Sequence, residues 1–178
     1  MKHMIDTLKL EEGKVTMCGM PFIITFTKSI YYMQKELDKV AGGAWNKIVY
    51  GCGKIDVTAL QSNYFAMFHD DPAVKKLISD RLAGFEFCVD EFNRMGKGKL
   101  EIIEEDAEKF RFVLRLHFCG IALAYLEHEK TREPVCYHFA GIFAAGTNTF
   151  FPGVEAAEIK CVAKGDPYCE FIIEVPKK

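Results

Sequence analysis

"AEIKCVAKGDPYCEF", residues 157–171, sets Glu158, Cys161 and Cys169 in E-x2-C-x7-C spacing around a Gly-Asp-Pro turn. The flanking runs "VEAAEIKCVA" and "YCEFIIEV" read as the two arms of a hairpin closing around "KGDP". With the turn centred near Gly165, Cys161 and Cys169 face each other on adjacent strands. Opposed residues there have Cα atoms about 4.5–5.5 Å apart, near enough for two thiolates to hold one ion. Zinc prefers tetrahedral sulfur and nitrogen donors and accepts a carboxylate. Glu158 offers a third donor, and Cys136, at the start of a helical stretch in "PVCYHF", is the best candidate for the fourth. On a regular strand, residues three apart point to opposite faces. Glu158 and Cys161 therefore converge only across a bulge or at a strand end. Spacing alone leaves three readings open: a metal site, a disulfide-stapled hairpin, or buried cysteines without chemistry.

Working outward from the hairpin, "EPVCYHFAGIFAAGTNTFF" reads as a helix whose Ala140, Gly141, Ala144, Ala145 and Gly146 permit close backbone approach. Before it, "LEIIEED" and "KFRFVLRLHF" form a hairpin with Phe110, Phe112, Leu114 and Leu116 on one face. The first half of the chain is helical. Pro21 opens "PFIITFTKSIYYMQKELDKVA", which Gly42 and Gly43 break. A second helix over 44–68 contains "GCG" at 51–53, where the glycines either kink it or allow close packing, and Asp71-Pro72 starts a third that runs to about Met95. "GKVTMCG" at 13–19 is a short strand. Helices first, then strands with one late helix, give an α+β class: an antiparallel sheet packed with helices. The 178 residues imply a single domain, 1–178, with an N-terminal arm over 1–12 and a metal-site motif over 132–176.

Composition narrows the function classes. A net charge of −2 offers no long-range attraction to nucleic acid or an anionic membrane. The longest apolar stretches, such as "FCGIALAYL", fall short of the ~20 residues of a membrane span. "MKHMIDTLKLEEG" is acidic where a signal peptide needs its apolar centre, so the chain reads as cytoplasmic. Seven cysteines without such a signal weigh against a disulfide framework. Fifteen Phe and seven Tyr make an aromatic interior suited to enclosing an apolar ligand.

"PVCYHFAGIFAAGTNTFFPGVEAAEIKCVAKGDPYCEF", residues 134–171, closely resembles the core of the 4-vinyl reductase domain family. That domain also forms the sensory part of activators answering phenols and other aromatic hydrocarbons. It is more distantly related to vesicle-tethering transport-particle subunits and haem-nitric-oxide-binding domains. Upstream, the match is only in the order of elements. The resemblance implies the haem-NO-binding/Golgi-transport ligand-binding fold, a zinc ion on Cys136, Glu158, Cys161 and Cys169, and a homodimer. It implies a small apolar or aromatic ligand and an output through a separate signalling partner, since the activators' ATPase and helix-turn-helix parts are not in this sequence. Four protein ligands leave no open coordination position, so the zinc would be a staple and the protein a binding module, not an enzyme. The alternative is a tetrapyrrole-related vinyl reductase, or a carrier of haem or another tetrapyrrole. No nucleotide or flavin motif is visible, so a reductase would need an external electron source.

For the ligand, the expected wall is Phe112 on the strand with Phe139 and Phe143 on the late helix, with Trp45 beside them and His117 as the polar group at the rim. His138 is a spare metal ligand or a group supporting one. Cys18, Cys88 and Cys119 read as packing residues. Cys52 in "YGCGK" is either a reactive thiol or, the preferred reading, a buried structural one. His69-Asp70-Asp71 reads as a helix end and cap.

Overall fold

The computed structural model describes residues 1–177. Strands β1 (Lys9–Glu11), β2 (Lys14–Met17) and β3 (Met20–Pro21) form a small antiparallel sheet. Four helices follow: α1 (Thr27–Ala41), α2 (Trp45–Met67), α3 (Pro72–Ser79) and α4 (Arg81–Arg94). Then come β4 (Lys99–Asp106), β5 (Arg111–His117), α5 (Gly120–Leu126), α6 (Tyr137–Asn148), β6 (Glu155–Lys160) and β7 (Cys169–Glu174). The second sheet has order β4-β5-β7-β6 and is antiparallel throughout. The α+β class expected from the sequence is the observed one.

Alternation decides which face of the large sheet is buried. Phe112, Leu114 and Leu116 of β5 pair in register with Ile173, Phe171 and Cys169 of β7, and all six are buried. Helix α6 lies on this face, with Phe143 4.8 Å from Phe171 between ring centroids. On its other side α6 meets α2, and there the glycines are needed. A methyl group on Gly53 would strike the carbonyl oxygen of His138, and one on Gly141 would strike that of Tyr50. The two helices thus touch backbone to backbone, each through a glycine of its own. Of the two readings of "GCG", close packing is realised, and α2 runs unbroken through both glycines.

Three expectations are corrected. The first helix begins at Thr27, not Pro21, because Pro21 pairs with Thr16 in β3 and Phe22 N–H donates to Val15 O at 2.8 Å. The chain leaves this pairing extended through Phe26 (ψ 145°). The expected third helix is two. Asp71 caps α3, its carboxylate accepting from Ala73 N–H, and Asp80 (φ −109°, ψ 103°) breaks the run and caps α4 by accepting from Ala83 N–H. Phe110 is a turn residue with φ 52°, ahead of β5. Helix α5 is an element that the sequence pattern does not announce.

Gly53→Ala and Gly141→Ala should each destabilise the protein by about 1–3 kcal/mol in chemical denaturation, since backbone must move to admit the methyl. Gly51→Ala, in the same helix with nothing near the added atom, should stabilise it by about 0.5–1 kcal/mol.

Candidate functional site

The α5–α6 region and the β6–β7 connection converge on a buried sulfur cluster. One ligand atom each from Cys136, Glu158, Cys161 and Cys169 lies within 4.8 Å of every other. The bulge that the spacing demands is there: the β6–β7 register shifts between Glu158 and Lys160, and β6 ends at Lys160. That shift turns Glu158 and Cys161 to the same side. The Gly-Asp-Pro turn has a separate task. Gly165 takes the left-handed conformation (φ 103°), ending a short 3₁₀ turn over Val162–Lys164. Asp166 then accepts from Cys161 N–H at 2.8 Å, and Val162 N–H points at the Cys169 sulfur at 3.4 Å. The connection is a cradle for two thiols, not a tight two-residue hairpin.

Cys136 stands at the N-terminal end of α6, where the helix dipole favours negative charge. Its N–H donates to Glu158 Oε2 at 2.9 Å, while Glu158 Oε1 is buried with no hydrogen-bond partner. Burial, and then the neighbouring Cys161 thiolate, push the Glu158 carboxyl up to about 8. An orphaned carboxylate oxygen facing three thiols is the environment a divalent cation satisfies, and the donor set of three sulfurs and one oxygen is one that zinc accepts. These residues can hold one tetrahedral ion. Two sulfurs bound to the same zinc at ~2.3 Å sit about 3.8 Å apart, and the Cys136 and Cys169 sulfurs are 3.9 Å apart.

Cys119, a packing residue by its apolar sequence neighbours, is placed by the structure against this cluster. At the N-terminal end of α5, its sulfur lies 3.3 Å from that of Cys136. That is shorter than the spacing of two ligands on one zinc and suits an S–H···S hydrogen bond. Cys119 and Cys136 share an ionisation: hydrogen bonds from Cys136 and Cys169 lower the Cys119 thiol, and burial raises that of Cys136. Cys119 can therefore donate to a metal-bound thiolate and spread its charge.

The residues expected around a ligand are not gathered. His117 is on the opposite face of the sheet from Leu116, its Nε2 3.2 Å from Glu101 and its ring beside Tyr168. Phe112, Phe139 and Phe143 are buried in the core, and the space between sheet and helices near Phe143 is only about 40 Å³. Trp45 packs edge-on against Tyr137. Cys52 is exposed on α2, on the side away from buried Val49 and Gly53, which corrects its reading as a buried thiol.

A cavity of about 580 Å³ lies elsewhere, between the N-terminal hairpin and the helices. Met4, Met17, Met20, Phe22 and Ile23 form one wall. Ile55, Val57 and Leu60 of α2, Phe92 and Met95 of α4, and Ile142 of α6 form the others. The first dozen residues are docked into this wall: Met4 N–H donates to Glu91 at 2.6 Å, and Tyr64 O–H donates to Lys2 O at 2.6 Å. His138 reaches the cavity from the first turn of α6, two residues from Cys136, with its Nε2 3.0 Å from Asp56. Cys88 is in the wall as a neutral thiol, pushed up to about 12 by burial and accepting from Gln61 Nε2 at 3.0 Å.

Residues 125–175, which hold the four-donor cluster, match the family model of the 4-vinyl reductase domain. The uncharacterized protein MJ0745 of Methanocaldococcus jannaschii is 33% identical over 82 residues, 46% of this chain and 42% of that one, so the match spans less than half of that relative. Among solved structures, the phenol-responsive sensory domain of the transcription activator PoxR, determined with phenol, superposes with a TM-score of 0.79 at 13% identity. That match covers 97% of this chain and 86% of the other. A trafficking protein particle complex subunit 3 from Naegleria fowleri, covalently bound to palmitic acid, gives 0.59 at 10% identity over 85% and 95%. The fold is therefore the one these sensory and trafficking proteins share. Among the described residues, no helix is long and apolar enough to cross a membrane.

The raised Glu158 carboxyl sets a pH dependence. Metal-free, the folded protein keeps a proton that the unfolded chain releases above the ordinary value of 4.5. Through this group, stability of the metal-free form should fall as pH rises from about 4.5 to about 8. A cation must displace that proton, so apparent metal affinity should rise over the same window. Calorimetry of zinc uptake in buffers of different ionisation enthalpy should show about one proton fewer released by Glu158→Gln.

Proposed function

We propose that the chain is a metal-stapled domain that binds a small apolar molecule and reports it by conformational change, acting as a sensor through a partner and not as a catalyst. The observation that carries this reading is the cavity of about 580 Å³ between the N-terminal hairpin and α2, α4 and α6. Its volume falls in the range of small-molecule sites, and its wall is mostly aliphatic, aromatic and methionine side chains with few polar groups. The likeness to the phenol-responsive PoxR domain supports the same reading. Zinc on Cys136, Glu158, Cys161 and Cys169 would serve as the staple, with all four positions filled by protein and binding energy that contributes to folding. We read residues 1–177 as one unit and the site of action as the cytoplasm.

A homodimer accords with what the surface leaves uncovered. Ile23 (82%), Phe26 (84%), Val40 (88%) and Phe118 (76%) are exposed, an apolar grouping along α1 and the segment before it that a second copy would bury. Light scattering should give twice the 20.2 kDa chain mass; a monomer across micromolar concentrations would remove the dimer from the proposal.

Protein purified without added metal should contain about one zinc per chain by elemental analysis. Cys161→Ser should lose it and lose solubility or folding, whereas Cys119→Ser should keep the ion. For the cavity, the neutral dye Nile red should bind the zinc-loaded protein with a fluorescence rise, and Ala59→Trp, which fills the space, should weaken binding at least about tenfold with unchanged circular dichroism. Wild-type protein that binds no apolar dye would refute the sensor reading.

A further inference from the structure

Three charged side chains other than His138 stand in the cavity wall: Asp56, Glu91 and Lys97. Two are answered from within the protein. Asp56 Oδ2 is 3.0 Å from His138 Nε2. Glu91 is 2.5 Å from His3 Nδ1 and accepts from Met4 N–H. Lys97 is different. Among the described residues no carboxylate oxygen comes within 4.0 Å of its ammonium group, which sits 5.9 Å from the ring centroid of Phe92, itself a wall residue. Asp56 attracts it only from beyond ion-pair distance, and burial outweighs that attraction, lowering the lysine. A half-buried cation beside apolar surface costs free energy until an anion meets it.

We propose that the cavity takes an apolar monoanion, a carboxylate with an aliphatic or aromatic body, whose charged group pairs with Lys97 while its body lies among Met17, Met20, Leu60 and Phe92. This rests on the cavity reading above and narrows it to a ligand class. A neutral phenol or alcohol would leave Lys97 unanswered. A cation would meet its repulsion, and a dianion would bring a second charge against Asp56 and Glu91. Four methionines in the wall (Met4, Met17, Met20 and Met95) make it adaptable in shape, so the fixed element of recognition is the charge.

The test is displacement of Nile red from the zinc-loaded protein by decanoate and by 1-decanol, which share a chain length and differ in charge. Decanoate should displace the dye at about one tenth the concentration that decanol needs. Lys97→Met should erase that preference while leaving decanol unchanged, and Lys97→Arg should retain it. Equal displacement by the two in wild type, or a preference that survives Lys97→Met, would overturn the assignment while leaving the cavity reading intact. Absence of dye binding and of displacement by either would remove both.

Discussion

Four acidic donors packed within 4.8 Å of one another cannot all be charged in an apolar interior unless a cation joins them. Much of the second half of the fold is arranged around that constraint. Protonated, the cluster is a set of weak thiol contacts and a carboxyl with one oxygen unanswered. Joined to a divalent ion, it becomes a single cross-link between the start of α6, the end of β6 and the start of β7. The Cys119 sulfur at the start of α5 and the N–H groups at the start of α6 and in the Val162 turn surround the anionic donors and offset their charge. The cross-link joins elements that are far apart in sequence, which is where a small domain gains most from a staple.

Helix α6 carries that constraint to the rest of the molecule. Cys136 at its N-terminal end belongs to the cluster, Phe143 packs on Phe171 of the sheet, and Gly141 lies against the backbone of α2. His138 and Ile142, on the remaining side, reach the cavity. Nearly every residue of this helix is buried. A wall held on all sides in this way can position a ligand but has little freedom to move in response to one.

The metal motif was legible because its logic is local. Parity along a strand requires a bulge between Glu158 and Cys161, and the register shift before Lys160 supplies it. The α+β class followed equally from the change of period after "GKGK". Cys119 was not legible: it lies in an apolar run 17 residues before Cys136, and only the packing of α5 brings the two sulfurs together. The cavity was hidden for a related reason. Its walls come from residues near 4, 20, 57, 92 and 140, and no spacing rule connects them. The aromatic stripe of β5 is the more conspicuous feature of the sequence, yet that stripe is apolar because α6 covers it. His117 illustrates the same point: if Phe112, Leu114 and Leu116 face the core, alternation alone turns His117 outward, toward Glu101.

If α6 is the fixed wall, the proposed response must arise in the opposite one. Met17 and Met20 belong to a three-stranded sheet of only three, four and two residues, a length too short to be stable by itself. Phe22 and Ile23 continue that wall as extended chain and lead directly into α1. Helix α1 in turn buries only Tyr31 and Gln34. Few buried contacts mean a low cost of local rearrangement. A molecule filling the cavity would press on the least anchored part of the fold, and the chain leaving that part is the exposed apolar segment available to a second copy. Occupancy and assembly would then be coupled through residues 17–41, while the metal cluster holds the other side of the cavity still.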